Sequence, residues 1–430
     1  MSDAPDSREE TRCQAPGDRP DPSQDRVREL VLSFLERAGE MSAAAGEAGT
    51  PVYVLEAEVI RQRVETFLKA FSSRLPGFEA FFAMKCNNSP EVAREVVGAG
   101  LGLDVSSGLE LAAALQVGCR RILFSGPGKT EEELALAAAN ADRVTVLLDS
   151  FQEMGRLNEA ALEAGSIVTA GVRLTTQEEG LWRKFGVPPA ALESFMIQAA
   201  DRPAIRLEGL QFHTSWNLTP DAQTSFIARL GGVLKDLDPA LRESLSFLDI
   251  GGGFWPGDGE WLLAEGAPGP PEGLPRGRRI IPAAPIVDFA REIAAALSEH
   301  VFPTGEMRVY AEPGRWIVND ALHIIIRVAD KKAQDMVITD AGTNIVGWER
   351  YETDYVPVIN LSRPSLTERP CLIAGSLCTP HDVWGWSYFG EGIEPGDLLL
   401  LPRQGAYTWS LRQQFIKPLA GMVRVPRRQR

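Results

Sequence analysis

A chain of 430 residues with 44% hydrophobic and 24% charged residues can bury a large core, enough for two domains or one large barrel with an addition. Its net charge of −14 argues against a general nucleic-acid or anionic-membrane surface, while a local basic pocket for a phosphorylated ligand stays open. The five cysteines (Cys13, Cys86, Cys119, Cys371, Cys378) are odd in number and lack paired spacings; with no membrane-length apolar run and no signal-type N-terminus, they predict a soluble cytoplasmic protein.

Residues 1–25 are polar and proline-rich and predict a disordered extension. RVRELVLSFLERAG (26–39) has helical periodicity, and PVYVLEAEVI (51–60) reads as a strand running into a helix; residues 26–57 are expected to pack with a later β domain. Eight short apolar runs then alternate with Ala/Leu/Glu-rich helical runs: FEAFFAMK, LGLDVSS, RILFSG, RVTVLLDS, SIVTAGVRL, IRLEGLQFH, LSFLDIGG and MRVYAEPG. This rhythm fits an α/β fold, a (β/α)8 TIM-like barrel over 58–310, with a doubly wound sheet as the alternative. The Pro/Gly-rich stretch around 257–279 reads as a surface excursion. Beyond residue 311 the runs RWIVNDALHIIIRVAD, QDMVITDAG, RPCLIAG and GDLLLLPRQGAY predict a mainly β C-terminal domain to residue 430.

In such a barrel, chemistry gathers at the C-terminal ends of the strands. There stand Lys85, Asp104, Ser107, His213, the run Gly251, Gly252 and Gly253, and Glu312 with Arg315. Lys85 is either a Schiff-base nucleophile whose pKa burial lowers, or a snorkelling strand-edge lysine. The glycines either cradle a phosphate or make a tight turn, and Glu312 and Arg315 are either site residues or a surface ion pair. In GSLCTPHDVW, Cys378 is a buried thiol, a reacting group, or a metal ligand with His381 and Asp382. The metal reading is weakest, because no second ligand cluster accompanies it.

The stretches FFAMKCN, GLGLDVSSGLE, KFGV, GLQFH, LDIGGGF, AEPGR, DAGTN, GSLCTPHDV and GAY, in this order, resemble the fold-type III pyridoxal-phosphate decarboxylases. That family comprises the diaminopimelate, ornithine and arginine decarboxylases, and DAGTN and HDV lean toward the diaminopimelate branch. The resemblance implies an alanine racemase-like barrel that binds pyridoxal 5'-phosphate. Lys85 would form the Schiff base, with Asp104 and Glu110 lining its side of the pocket and His213 stacking on the ring. Gly251, Gly252, Gly253, Gly314 and Arg315 would hold the phosphate, Tyr407 would close the site, and Glu312 would pair with the ring nitrogen. It further implies a homodimer in which Cys378 protonates Cα in the neighbouring subunit, with Asp382 shaping the pocket. A carboxylate at the ring nitrogen favours decarboxylation over racemisation.

Three departures bear on substrate. Thr379 stands where the family has an acid that reads a distal ammonium, and a hydroxyl cannot replace that charge-assisted contact. Trp216 stands where the family has a phosphate-binding serine, so that Ser215 shifts to serve or other donors take over. Arg350 comes two positions later than the family's substrate arginine. The expected substrate is therefore a modified, conjugated or carrier-protein-tethered amino acid, not a free one; an acyl carrier protein is one expected partner. The tryptophans Trp216, Trp348, Trp384 and Trp386 either wall a larger pocket or pack in the core. Diaminopimelate decarboxylation and amino-acid racemisation are the alternatives.

Overall fold

The computed structural model describes residues 22–263, 278–347 and 354–425. The disorder expected for 1–25 falls almost wholly outside them, and a helix, Pro22–Leu35, already starts before its end. The eight apolar runs all form strands of one closed parallel barrel: β1 (Glu79–Ala83), β2 (Gly102–Val105), β3 (Ile122–Phe124), β4 (Val144–Leu148), β5 (Val168–Leu174), β6 (Ile205–Phe212), β7 (Phe247–Asp249) and β8 (Arg308–Ala311). Pairing of β8 with both β7 and β1 closes the ring, which rules out the doubly wound sheet.

Local chemistry sets the intervening helices. Ser107, Thr130 and Ser150 each accept from the backbone N–H three residues on, and so begin the helices Gly108–Gln116, Glu131–Ala138 and Phe151–Ala164. Inside the barrel Phe81, Leu123, Leu147, Phe247 and Tyr310 form a separate buried layer. Gly209 makes that layer fit, since a Cβ there would collide with the ring of Phe247. The layer plugs the barrel, and the polar strand ends gather at its far mouth.

The second layer is an eight-stranded, mostly antiparallel sheet. Its order is Met336–Thr339, Glu368–Ala374, Val383–Phe389, Ile359–Asn360, Leu398–Leu401, Leu322–Ala333, Val52–Leu55 and Gly421–Arg424. The run beginning at Arg315 opens as a helical turn, Arg315–Val318, and becomes a strand only at Leu322. Alternation assigns the two faces. Ile324, Ile326, Leu399 and Leu401 join the core shared with the barrel, whereas Ile325, Leu398 and Leu400 pack with Val27, Val31 and Phe34 of the N-terminal helix. The flanks of the Pro/Gly-rich excursion pair as a hairpin, Glu260–Leu263 with Arg278–Ile281. Among the described residues no helix is long and apolar enough to cross a membrane.

Candidate active site

The β1 strand stops at Ala83, and Lys85 sits on the helical turn Met84–Cys86 just beyond it, not on the strand itself. The β-rich layer holds this turn. Tyr407 N–H donates to Cys86 O (2.6 Å), Asn87 Nδ2 to Gly405 O (2.9 Å), and Asn88 N–H to Ser410 Oγ (3.0 Å). Tyr407 adopts φ +67°, a left-handed conformation that L residues seldom take, and the turn against Cys86 holds it there.

Lys85 Nζ donates to Asp104 Oδ2 at 2.9 Å, and Ser125 Oγ donates to Asp104 Oδ1 at 2.5 Å. Burial would lower the lysine's pKa, but Asp104, Glu312 and Tyr407 outweigh it and raise it instead. The expected depression is thus reversed: two carboxylates within reach matter more than desolvation. Burial and Glu312 push Asp104 up to about 7, against the opposing pull of Lys85 and Ser125. Glu312, fully surrounded at the end of β8, would be raised by burial; the imidazole of His213 with Lys85 and Arg173 holds it at about 2. Gln211 Nε2 donates to its Oε1 at 3.0 Å.

His213 Nδ1 lies 3.2 Å from Gly252 N–H and 3.4 Å from Glu312 Oε2, and Nε2 lies 3.3 Å from Ser215 Oγ. Burial lowers its pKa, so the ring is neutral. Trp216, the next residue, is held at φ +52° with half its surface exposed.

A cavity of about 420 Å³ opens at this mouth, lined among others by Lys85, Ser215, Trp216, Gly253, Glu312, Gly314, Arg315 and Tyr407. A Cβ on Gly251, Gly252 or Gly253 would strike the backbone of Phe212, Glu312 or Thr214, so only glycine lets this turn lie against the strand ends. Arg315 lies between the rings of Trp255 (4.5 Å) and Tyr407 (5.1 Å), and Arg173 lies 4.5 Å over Phe185. Neither guanidinium has a salt-bridged carboxylate among the described residues. The cavity therefore presents an amine, two arginines and a bare glycine turn to an anionic ligand.

Other expected site residues lie elsewhere. Cys378 is exposed, unlike the buried Cys86, Cys119 and Cys371, and does not line the Lys85 cavity of its own chain; nor does Thr379. Asp382 is buried, and its carboxylate accepts from Thr343 N–H (2.7 Å) and Leu377 N–H (2.6 Å). It anchors the cysteine loop. With Asp382 turned inward and His381 exposed, the three do not form a metal cluster. Glu110 likewise accepts from Ser106 N–H (2.8 Å), so it holds the loop after β2. Arg350 and Trp348 lie outside the described residues. Sequence reasoning missed Arg173, Ser125, Gln211 and Trp255. Arg173 alone left a local signal, a charge inside the apolar run GVRL at a strand end.

A plugged parallel barrel bearing a lysine, a paired carboxylate and a glycine turn beside two arginines suits an enzyme that holds an anionic group beside an amine. The family model for the pyridoxal-dependent decarboxylase, pyridoxal binding domain, matches residues 58–319. The chain belongs to this family, the fold-type III pyridoxal-phosphate decarboxylases, and is a carboxy-lyase. Among curated relatives, diaminopimelate decarboxylase of Actinosynnema pretiosum subsp. auranticum is 30% identical over 399 residues, covering 86% of this chain and 82% of the relative. That of Methanothermobacter thermautotrophicus is 28% identical over 386 residues, covering 86% and 85%. Among solved structures, diaminopimelate decarboxylase from Helicobacter pylori complexed with L-lysine aligns with TM-score 0.72 at 24% identity, covering 87% and 91%. Lysine/ornithine decarboxylase from Vibrio vulnificus complexed with putrescine gives 0.71 at 23%, covering 90% and 98%. At these identities the structural matches speak for the fold.

The residues fit pyridoxal phosphate. Gly253 and Gly314 line the cavity, Arg173 and Arg315 supply positive charge with no salt-bridged carboxylate among the described residues, and Glu312 supplies an ionised carboxylate inside the barrel mouth.

Proposed function

We propose that this decarboxylase removes the α-carboxylate of an amino acid whose distal end is not a bare ammonium: a modified, conjugated or carrier-tethered amino acid. The observation that carries this reading is a second cavity of about 470 Å³, which shares Trp255, Arg315 and Tyr407 with the Lys85 cavity. Trp261, Tyr355, Trp384 and Trp386 also line it, beside Asp258, Asp354 and Arg403, and the aromatic walls suit a planar group. Thr379 agrees, since it offers no charge to an ammonium. Trp384 is also a packing residue, its indole N–H bonded to Thr339 Oγ1 and Ala341 O.

In this reading Lys85 carries the cofactor and Asp104 holds the lysine's proton. Gly251, Gly252, Gly253, Gly314, Arg315 and Ser215 would hold the phosphate, His213 would lie against the ring, and Tyr407 would close the site. Pyridoxal phosphate, when bound, supplies an aldehyde and a protonated ring that takes up the electrons of the breaking bond. Glu312 would pair with the ring nitrogen and favour its protonated form. Its carboxylate supports decarboxylation and speaks against the racemase alternative. Cys378 donates the proton to Cα, and its exposure suits action in the site of a partner subunit, as a homodimer would allow.

The names of the curated relatives favour one second reading, decarboxylation of free diaminopimelate. A CO2-release screen separates the two, using diaminopimelate, ornithine, lysine, N-acylated and aryl-bearing amino acids, and carrier-bound aminoacyl groups. Fastest turnover of a substrate with a neutral distal group supports the first reading. Fastest turnover of free diaminopimelate overturns it.

A further inference from the structure

Behind Glu312 lies a second carboxyl group, Asp249, the last residue of β7. It is fully buried and in register with Gln211 on β6 and Tyr310 on β8. Its Oδ1 accepts from Gly251 N–H at 2.9 Å, whereas its Oδ2 is buried with no donor among the described residues. Glu312 is within hydrogen-bonding reach, but a carboxylate has no proton to give. An ionised Asp249 would thus bury a second negative charge against the first, with one of its oxygens unsatisfied. The groups acting on it from the neighbouring elements are Glu312, Asp104 and Tyr310, while His213, Lys85 and Arg173 act on the Glu312 carboxyl and lower it.

We propose that Asp249 is a neutral carboxylic acid whose Oδ2–H donates to the Glu312 carboxylate, making it a positioning residue for the group at the ring nitrogen. One proton then solves two problems: Oδ2 gains a partner as donor, and Glu312 alone carries the negative charge. Burial and the neighbouring Glu312 carboxylate, which both raise the Asp249 pKa, act in the same direction. Gln211 and Asp249 then hold Glu312 from two sides. Glu312 stays ionised and weakly basic, ready to pair with a protonated nitrogen without taking its proton. The catalytic part of this inference rests on Glu312 facing the ring nitrogen; the protonation state of Asp249 does not.

The test begins with the full-length apo-protein. Infrared difference spectra of wild type against Asp249→Asn at neutral pH should contain the carbonyl stretch of a protonated carboxylic acid. A difference containing only carboxylate bands would overturn the proposal. In the pyridoxal-phosphate-loaded enzyme, Asp249→Asn keeps a donor and should hold kcat within about threefold, while Asp249→Ala should lower kcat about ten- to hundredfold at unchanged KM. Asp249→Ala should also shift the pH titration of the cofactor's absorbance, which a merely structural defect would not move. Wild-type kcat and titration in Asp249→Ala would overturn the positioning role. If Asp249→Ala does not fold, the infrared result and the Asn variant decide. A protonated-acid band with no cofactor absorbance in any variant would instead count against the cofactor reading alone.

Discussion

Lys85 Nζ and Asp104 Oδ2 stand 2.9 Å apart between the ends of β1 and β2, and this pair sets the charge of the amine before any ligand arrives. Burial pulls the lysine's pKa down, and Asp104 with Glu312 pulls it up further. Removing one of those charges in Asp104→Asn should therefore lower it. The pH midpoint for trace labelling of Lys85 by an amine reagent should fall by about one unit or more in the apo-protein. An unchanged midpoint would show that the pair does not control the amine.

Under the proposed function, Glu312 is the carboxylate that would set the strength of the electron sink. Glu312→Gln keeps the size and the hydrogen bond from Gln211 but loses the charge. We expect kcat to fall by about 10²–10³, with cofactor still bound through Lys85. Steady-state kinetics beside an absorbance spectrum would check both halves.

Cys378 is exposed and absent from its own chain's lysine cavity, so complementation between subunits is expected. Equal mixing of Lys85→Ala and Cys378→Ala subunits should restore at most about a quarter of wild-type activity, since half the dimers carry one intact site of two. No recovery after verified subunit exchange would argue against shared sites.

Acid stability should depend on Glu56, buried where the N-terminal segment meets the sheet. Burial would raise its pKa, but His323 at 2.9 Å and Arg37 lower it to about 2. A depressed carboxylate stabilises the fold above its unfolded value and loses that contribution as pH falls. The stabilisation should be complete above about pH 5 and vanish toward pH 2. Glu56→Gln should flatten this part of the stability–pH curve in denaturant titrations. A curve parallel to wild type would contradict the assignment.

Lys129 and Glu153 form a fully buried ion pair at 2.7 Å, and Lys129 also donates to Gly126 O and Leu147 O. Lys129→Met leaves Glu153 buried and alone, which should cost about 3–5 kcal/mol of unfolding free energy. Lys129→Met with Glu153→Leu should recover much of that, and a double-mutant cycle would measure it.

The barrel was legible because each of its strands is a short apolar run bounded by turn residues, and the lysine, the glycines and Glu312 follow those runs directly. What was not legible depends on pairing between strands far apart in the chain. Gln211 is a neutral residue in an apolar run, and it joins the site only because β6 lies beside β7 and places it against Glu312. Asp249 precedes the glycine turn, yet its neighbours come from β6 and β8. Asp382 reads as a pocket residue only through the family match; that it also holds the backbone N–H of Thr343 depends on a segment distant in the chain. The second cavity draws its walls from segments more than a hundred residues apart, so no local pattern could announce its shape.

The strand Val52–Leu55 lies between Leu322–Ala333 on one side and Gly421–Arg424 on the other. This strand is therefore completed by one synthesised more than three hundred residues later. At about 5–20 residues per second, its second neighbour emerges on the order of tens of seconds later. The eight barrel strands are all available well before that moment. During synthesis the barrel can close while its companion sheet still has an open edge at Val52–Leu55, a nascent chain that needs shielding there until residue 421 arrives.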